Sequence, residues 1–333
     1  MTAHDSSVLR ILADGEFHSG AGVARALGVS RSTVWNAVRA LNAAGLDVYR
    51  VKARGYRLAR PVSLLDAGDI VRGADRAGTR FVVDVIDVAG STNTLLLQRA
   101  AAGAPGGTVL VAEWQQQGRG RMQREWHAAI GGAITFSVLW RFSQGAAALA
   151  GLSLAVGVAL ARAMSKLGAA GVQLKWPNDV LWRERKLGGV LIEMQGDALG
   201  PSAVVIGIGI NVRLSDTVRE RIGRPASDLE TACGRAIDRS AAVGLILAEL
   251  ASVLDTFSAG GFAPLREEWM RNHVYAGRRV LITLPDGRSR AGVIRGVDDD
   301  GALLFDDGSG IRRLHSAEVS VRARRSQVVT GRT

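Results

Sequence analysis

The sequence predicts an α+β multidomain chain in three parts. These are a small helical unit closed by a β-hairpin over residues 1–60, a mixed α/β domain over 61–276, and a small β-barrel over 277–323, with a tail, 324–333, expected to be disordered. Three observations predict this. Helical apolar spacing gives way to a hairpin pattern within the first 60 residues, apolar strand runs alternate with helices from about 80 to 212, and short strands broken by Asp-Gly turns follow Gly277. A chain of 333 residues has room for such units, and 47% hydrophobic with 22% charged residues excludes disordered and fibrous classes.

In the first part, Val8, Leu9, Ile11 and Leu12 make the apolar face of a first helix, ended by Phe17. Residues 20–27 form a second, stopped by Gly28. Ser30 is placed to cap a third, in which Val34, Val38 and Leu41 recur at helical spacing. That leaves Arg31, Ser32, Thr33, Asn36 and Arg39 on other faces, while Trp35 is assigned to helix packing. Helix, tight turn, then helix with a polar face is the helix-turn-helix pattern. Residues 48–51 and 56–58 then read as a hairpin whose tip, Lys52-Ala53-Arg54-Gly55, is a basic wing. The net charge of +11 supports this reading. Residues 1–60 carry nine Arg/Lys against four Asp/Glu, residues 61–277 carry 22 against 20, and residues 278–333 carry 11 against 7. Such an excess at one end is the footprint of a phosphate-backbone binder, and Arg31, Ser32, Thr33, Asn36, Arg39, Lys52 and Arg54 are the candidate DNA contacts. The blander alternative is a three-helix protein-interaction module with a solvated basic surface.

Pro61 marks the expected boundary. Beyond it, strands are expected at 80–87, 108–114, 133–142, 172–175, 187–194 and 203–212, and helices at 92–102, 146–168 and 239–257. Residues 142–161 hold no charge, but only seven of these twenty are Leu, Val or Phe, which favours a buried helix over a membrane span. The N-terminus lacks the layout of a signal peptide. Cys233 is the only cysteine and the five histidines are scattered, which excludes a disulfide framework and gives no metal-ligand spacing. A reducing, cytoplasmic location is expected. After Gly277, strands at 280–284, 289–297, 302–305, 311–314 and 319–321 are separated by Asp286-Gly287, Asp300-Gly301 and Asp307-Gly308 turns, the pattern of a small barrel.

Three segments of the middle domain carry more than packing. Residues 115–124, Gln-Gln-Gln-Gly-Arg-Gly-Arg-Met-Gln-Arg, bring backbone N–H groups and guanidinium forks close together, as an anion requires. They are not a dinucleotide fingerprint, because Gln123 stands where its third glycine would be, and a flexible basic loop is the alternative. Lys175-Trp176-Pro177-Asn178-Asp179 also reads as ordinary turn chemistry, and Arg185–Glu193 as a charged turn feeding a buried strand. Among 42 Lys and Arg only four are lysines, Lys52, Lys166, Lys175 and Lys186. Two of them eleven positions apart point to a need for a compact ammonium.

These segments carry a resemblance. Ser91-Thr92-Asn93, Gly118-Arg119-Gly120-Arg121, Lys175-Trp176-Pro177-Asn178-Asp179, Lys186-Leu187-Gly188-Gly189 and Gly207-Ile208-Gly209-Ile210-Asn211 stand in the order and approximate spacing of the biotin–protein ligases. With its N-terminal helix-turn-helix and C-terminal barrel, the chain resembles the bifunctional ligase–repressors over roughly residues 8–322. The resemblance implies a class II synthetase-like catalytic domain and an SH3-like barrel. It further implies a two-step reaction, in which biotin and MgATP give biotinoyl-5′-adenylate and a lysine of a biotin carboxyl carrier domain then takes the biotin. In that scheme Lys186 lies between the biotin carboxylate and the α-phosphate, with Arg119, Arg121 and Arg124 around the phosphates. Ser91, Thr92, Asn93, Gln115, Arg119, Arg121, Lys186 and the loop backbone over Gly118–Arg121, Gly120 included, serve biotin, while Trp126 and Asn211 join the cations at the nucleotide. Asp179 would position the metal or the incoming lysine, with Mg2+ carried by ATP. Adenylate would favour a homodimer on palindromic operator DNA. The chain departs from the family pattern at Met122-Gln123, where arginine-glycine is usual, which puts loop closure over the adenylate in doubt although Arg121 is retained. Three alternatives stay open: a lipoate-type ligase, a repressor that binds adenylate without transfer, and a ligase whose N-terminal domain no longer regulates.

Overall fold

The structure, a computed structural model, describes residues 2–196, 201–283, 287–315 and 320–323. In the N-terminal unit, Thr2 and Asp5 form a reciprocal capping box at the start of α1 (Ala3–Leu12). Helix α2 (Gly20–Leu27) ends at Gly28, whose φ of +64° continues no helix. Helix α3 (Arg31–Ala43) starts at Ser30, whose hydroxyl accepts from the Thr33 amide at 3.1 Å. Val8, Leu12, Val23, Val34, Val38 and Leu41 are buried together. Strands β1 (Val48–Val51) and β2 (Gly55–Leu58) pair antiparallel, and His18 adds a bridge to Tyr56. Gly55 is the residue this approach demands: its φ is +106° and a Cβ there would lie 2.0 Å from the His18 carbonyl oxygen.

The middle of the chain builds a seven-stranded sheet from β3 (Val82–Ala89), β4 (Thr108–Gln115), β5 (Ala133–Phe142), β6 (Val172–Lys175), β7 (Asp179–Trp182), β8 (Arg185–Gly196) and β9 (Ser202–Asn211). Its order is β3-β4-β5-β9-β8-β7-β6, with β3 and β4 parallel and the other neighbours antiparallel. Alternation along the strands serves both faces. Val109, Val111, Phe136 and Val138 face α4 (Ala67–Gly73), α6 (Leu152–Lys166) and α9 (Arg239–Gly260), while Leu110, Leu139 and Val205 face α5 (Thr92–Ala101). Short helices α7 (Asp216–Ile222), α8 (Leu229–Cys233) and α10 (Arg266–Arg271) complete the layer connections.

The expected uncharged helix is not continuous. Strand β5 runs to Phe142, a 3₁₀ turn covers Ala146–Leu149, and α6 begins after Gly151 at φ +79°. Among the described residues two helical segments, Ala146–Lys166 and Arg239–Gly260, are long and apolar enough to cross a membrane, yet the greater part of each is buried here as core. Strand β7 and helices α4, α7, α8 and α10 have no counterpart in the sequence reading, because four to seven residues span too few turns to show a period.

The N-terminal unit and the linker that follows it are both held against the sheet. Val62, Ile130 and Trp114 pack into or against its apolar core. Beyond them, the Arg239 guanidinium donates to Glu113 Oε2 at 2.7 Å and to the Ser63 carbonyl at 2.6 Å, while the other Glu113 oxygen accepts from the Leu65 amide. Arg239 and Glu113 side chains are only 2% and 5% exposed.

The last unit is a five-stranded antiparallel sheet of β10 (Arg279–Thr283), β11 (Ser289–Val297), β12 (Leu303–Asp306), β13 (Ile311–Leu314) and β14 (Ser320–Ala323), in the order β13-β12-β11-β10-β14. Leu284, Asp286, Val319 and the tail 324–333 lie outside the described residues. The unit is tied to the middle sheet by the fully buried Trp176, whose indole N–H donates to the Gly301 carbonyl at 3.0 Å.

Candidate active site

A cleft opens along the β5-β9-β8-β7 part of the sheet, under the segment between β4 and β5. Its lining brings together Ser91, Thr92, Asn93, Gln115, Arg119, Gly120, Arg121, Arg124, Trp126, Asp179 and Lys186. Asn211 lines a second compartment, which shares Arg124, Glu125, Trp126, Lys186 and Arg224 with the first.

One end of the first compartment is a closed polar network. Ser91 caps α5, and the Gln115 side-chain oxygen accepts from the Thr92 amide at 2.7 Å and its hydroxyl at 3.1 Å. The fully buried Ser137 hydroxyl sits 2.7 Å from Thr92 Oγ1 and 2.5 Å from Asn93 Oδ1, and Asn93 donates to Glu193 at 2.7 Å. Fixed donors and acceptors of this kind suit a ligand that presents both. The glycines of β9 clear its floor. A Cβ on Gly207 would lie 2.2 Å from Asn93 Oδ1, and one on Gly209 would lie 2.8 Å from the Trp126 ring.

At the other end lie the cations. Lys186 Nζ is ion-paired with Asp179 and stands 5.9 Å from the centre of the Trp126 ring, while Lys175 Nζ lies 3.9 Å from the same carboxylate. Burial alone would raise the Asp179 carboxyl, but Lys186, Lys175 and Arg224 together outweigh it and hold the group below its ordinary value. Burial also lowers Arg121, partly offset by Asp179; a guanidinium so shifted stays charged at neutral pH. The Arg121 and Arg124 side chains make no hydrogen bond or ion pair among the described residues, whereas Arg119 donates to Thr94 at 2.8 Å and reaches Glu193 at 3.4 Å. The Lys186 backbone is held as well. Its amide donates to the Pro225 carbonyl at 3.1 Å, its carbonyl accepts from Ser227 at 2.8 Å, and Asn211 donates to the same carbonyl at 3.3 Å. Met122 and Gln123 both adopt φ +56°, so the two residues that replace the usual arginine-glycine hold a left-handed backbone without a glycine. Among the described residues no three His, Cys, Asp or Glu gather as a metal site.

The N-terminal unit presents a second candidate surface. Arg31, Ser32, Asn36 and Arg39 are exposed on α3, Thr33 is half-buried, and Lys52 and Arg54 are exposed at the hairpin tip. The Arg31 and Lys52 side chains make no hydrogen bond or ion pair among the described residues, while Arg54 lies over the Phe17 ring at 3.9 Å. The expectation for Trp35 is corrected. It is 42% exposed with Arg39 stacked over it at 4.8 Å, because the position after Val34 turns away from the buried face.

The chain is 36% identical over 316 residues to the bifunctional ligase/repressor BirA of Escherichia coli, covering 95% of this chain and 96% of that one. It belongs to the bifunctional ligase/repressor family. The Bacillus subtilis member is 32% identical over 314 residues, covering 93% and 95%. A biotin–[acetyl-CoA-carboxylase] ligase of Mycobacterium tuberculosis is 37% identical over 232 residues, covering 68% and 84%. Family models match in three places: the biotin/lipoate A/B protein ligase family at 85–211, an HTH domain at 5–57 and the biotin protein ligase C-terminal domain at 275–322. A solved biotin protein ligase from Aquifex aeolicus in complex with biotin and ATP superposes with a TM-score of 0.64 at 28% identity, covering 73% of this chain and 99% of that one. Family membership thus accounts for the helix-turn-helix, the catalytic sheet and the C-terminal β-domain in one chain.

Sequence reasoning did not reach Ser137 or Arg224, and it met Glu193 only as the end of the charged segment Arg185–Glu193, with no role in a site. A buried hydroxyl inside the apolar run of β5 was a usable signal for Ser137, since such a group must find a partner. Glu193 joins the polar network through strand pairing, accepting from Asn93, and Arg224 reaches the cleft from a distant loop.

Proposed function

We propose that this chain is an ATP-dependent, AMP-forming biotin–protein ligase that also acts as a biotin-responsive transcriptional repressor. The observation that carries the catalytic reading is the polar network at one end of the cleft set against a cluster of cations at the other, with Lys186 between two compartments. Biotin's ureido ring would meet Ser91, Thr92, Asn93 and Gln115, which leaves its carboxylate directed toward Lys186. A carboxylate and an anionic α-phosphate repel, and positioned ammonium and guanidinium groups offset that repulsion in the transition state. Lys186, Arg121 and Arg124 would take that role. Arg119, already engaged by Thr94 and Glu193, would shape the loop and the biotin end. Trp126 and Asn211 would bound the nucleotide.

Asp179 holds Lys186 in place and would receive the carrier lysine for the second step. With Lys186, Lys175 and Arg224 around it, its carboxylate is a poor metal ligand, so magnesium would arrive with ATP as part of the substrate. On the regulatory side, adenylate would favour a homodimer in which two copies of α3 and two basic hairpins reach the half-sites of a palindromic operator. A cytoplasmic location accords with the one, unpaired cysteine.

The deciding experiment supplies MgATP, labelled biotin and a purified carrier domain to the full chain. Transfer of label to the carrier is the expected result. Biotin binding without transfer would sink the ligase reading in favour of a repressor alone, and preference for lipoate over biotin would reassign the substrate. Binding to palindromic sites selected from random DNA, dependent on biotin and ATP, tests the repressor half.

A further inference from the structure

We infer that Arg224, a residue no motif singled out, is a phosphate-binding residue of the cleft that holds the leaving pyrophosphate end of the nucleotide. The inference rests on the ligase reading above and deepens it. The two compartments of the cleft share five lining residues, and three of them are cations: Arg124, Lys186 and Arg224. A nucleotide with its base near Trp126 and Asn211, reacting with a carboxylate beyond Lys186, must pass its phosphates through that seam. Arg224 stands there with no hydrogen bond or ion pair among the described residues, although its charge is felt by Asp179.

Its backbone is held while its side chain is exposed. Gly223, at φ +60°, ends α7 and donates to the Arg219 and Glu220 carbonyls at 3.3 and 3.1 Å. On the other side the Pro225 carbonyl accepts from the Lys186 amide at 3.1 Å. Arg219 reinforces the segment, donating to the Ala226 carbonyl at 3.1 Å and to Asp228 at 2.6 Å. Arg224 is therefore tethered to the residue expected to serve the α-phosphate, so placing one helps to place the other. Of the seam cations, Lys186 is already paired with Asp179, whereas Arg224, like Arg124, is exposed, which fits it to the more solvated β- and γ-phosphates.

The test uses the full chain and the variants Arg224→Ala, Arg224→Lys and, as a control on the same segment outside both compartments, Arg221→Ala. Arg224→Ala should raise KM for ATP, and KM for pyrophosphate in biotin-dependent exchange, roughly fivefold to tenfold, the range for a solvent-screened charge-assisted contact. KM for biotin should stay unchanged, Arg224→Lys should recover most of the loss, and Arg221→Ala should match wild type. ATP binding by calorimetry, without biotin, reads the same contact independently of turnover. Unchanged ATP and pyrophosphate constants in Arg224→Ala would overturn the inference. So would equal losses for ATP and biotin with no rescue by lysine, which would make the residue structural. Failure of wild type to form adenylate would instead count against the ligase reading, and calorimetry would still decide Arg224.

Discussion

The catalytic cleft and the C-terminal sheet are both rich in arginine, and they use it in opposite ways. In the sheet, Arg290 and Arg312 pair with Asp307, Arg295 with Asp306, and Arg313 with Asp298 and Asp300, so the charge is spent within the unit on its own turns. In the cleft, the side chains of Arg121, Arg124 and Arg224 have no such partner among the described residues. A count of charges along the chain credits both regions alike. The difference is one of commitment: a cation already satisfied by a neighbouring carboxylate has little to offer a ligand, whereas several unpaired cations in one cleft repel one another until an anion arrives. Arg31 and Lys52 on the N-terminal unit fall on the uncommitted side, as a DNA-binding surface requires.

That contrast can be broken by experiment. The largest effect is expected from the most committed cation, Arg239. Glu113→Ala leaves its guanidinium buried and uncompensated, which should cost about 3–5 kcal/mol in urea unfolding. A loss below about 1 kcal/mol would mean that the pair behaves like a surface ion pair. Next comes the lysine at the seam. Lys186→Ala should lower biotin transfer to a carrier domain by about 10²–10³, while Lys175 and Arg224 remain beside Asp179 to compensate its carboxylate. Wild-type transfer by this variant would remove Lys186 from the chemistry.

A third, slightly smaller effect belongs to a group kept neutral at physiological pH. His273, buried against Trp269 and without a hydrogen-bond partner on either ring nitrogen among the described residues, is held down to about 4 from 6.5 by burial. Its stability contribution is full above pH 6.5 and is lost as pH falls toward 4, because the unfolded chain takes up the proton first. The fall should amount to about 3 kcal/mol, and His273→Phe should flatten that limb of the stability–pH curve. The smallest effect is expected at the C-terminal sheet, where Arg313→Ala should leave both transfer and unfolding midpoint unchanged. A loss of transfer there would erase the distinction between the two regions.

Much of the fold was legible because it is local. Ser30 capping α3, Gly28 ending α2, the Lys52–Gly55 tip and the strands at 133–142 and 172–175 all follow from spacing and turn chemistry within a dozen residues. Most of the cleft was legible through motifs. Trp35 was misjudged because periodicity marks the buried stripe but does not say how wide it is. Arg224 was invisible because nothing near it in sequence distinguishes it from Arg221.

The sequence by itself determined the caps, the turns, the apolar faces and the uneven distribution of charge, since each is set by interactions between near neighbours. The tertiary structure alone decided which charges are spent and which remain. Glu113 meets Arg239 across 126 positions, and Arg224 reaches the seam only because Pro225 and Ser227 pair with the backbone of Lys186. Whether a cation is neutralised depends on what stands within a few ångströms of it, and that distance is fixed by packing, not by order along the chain.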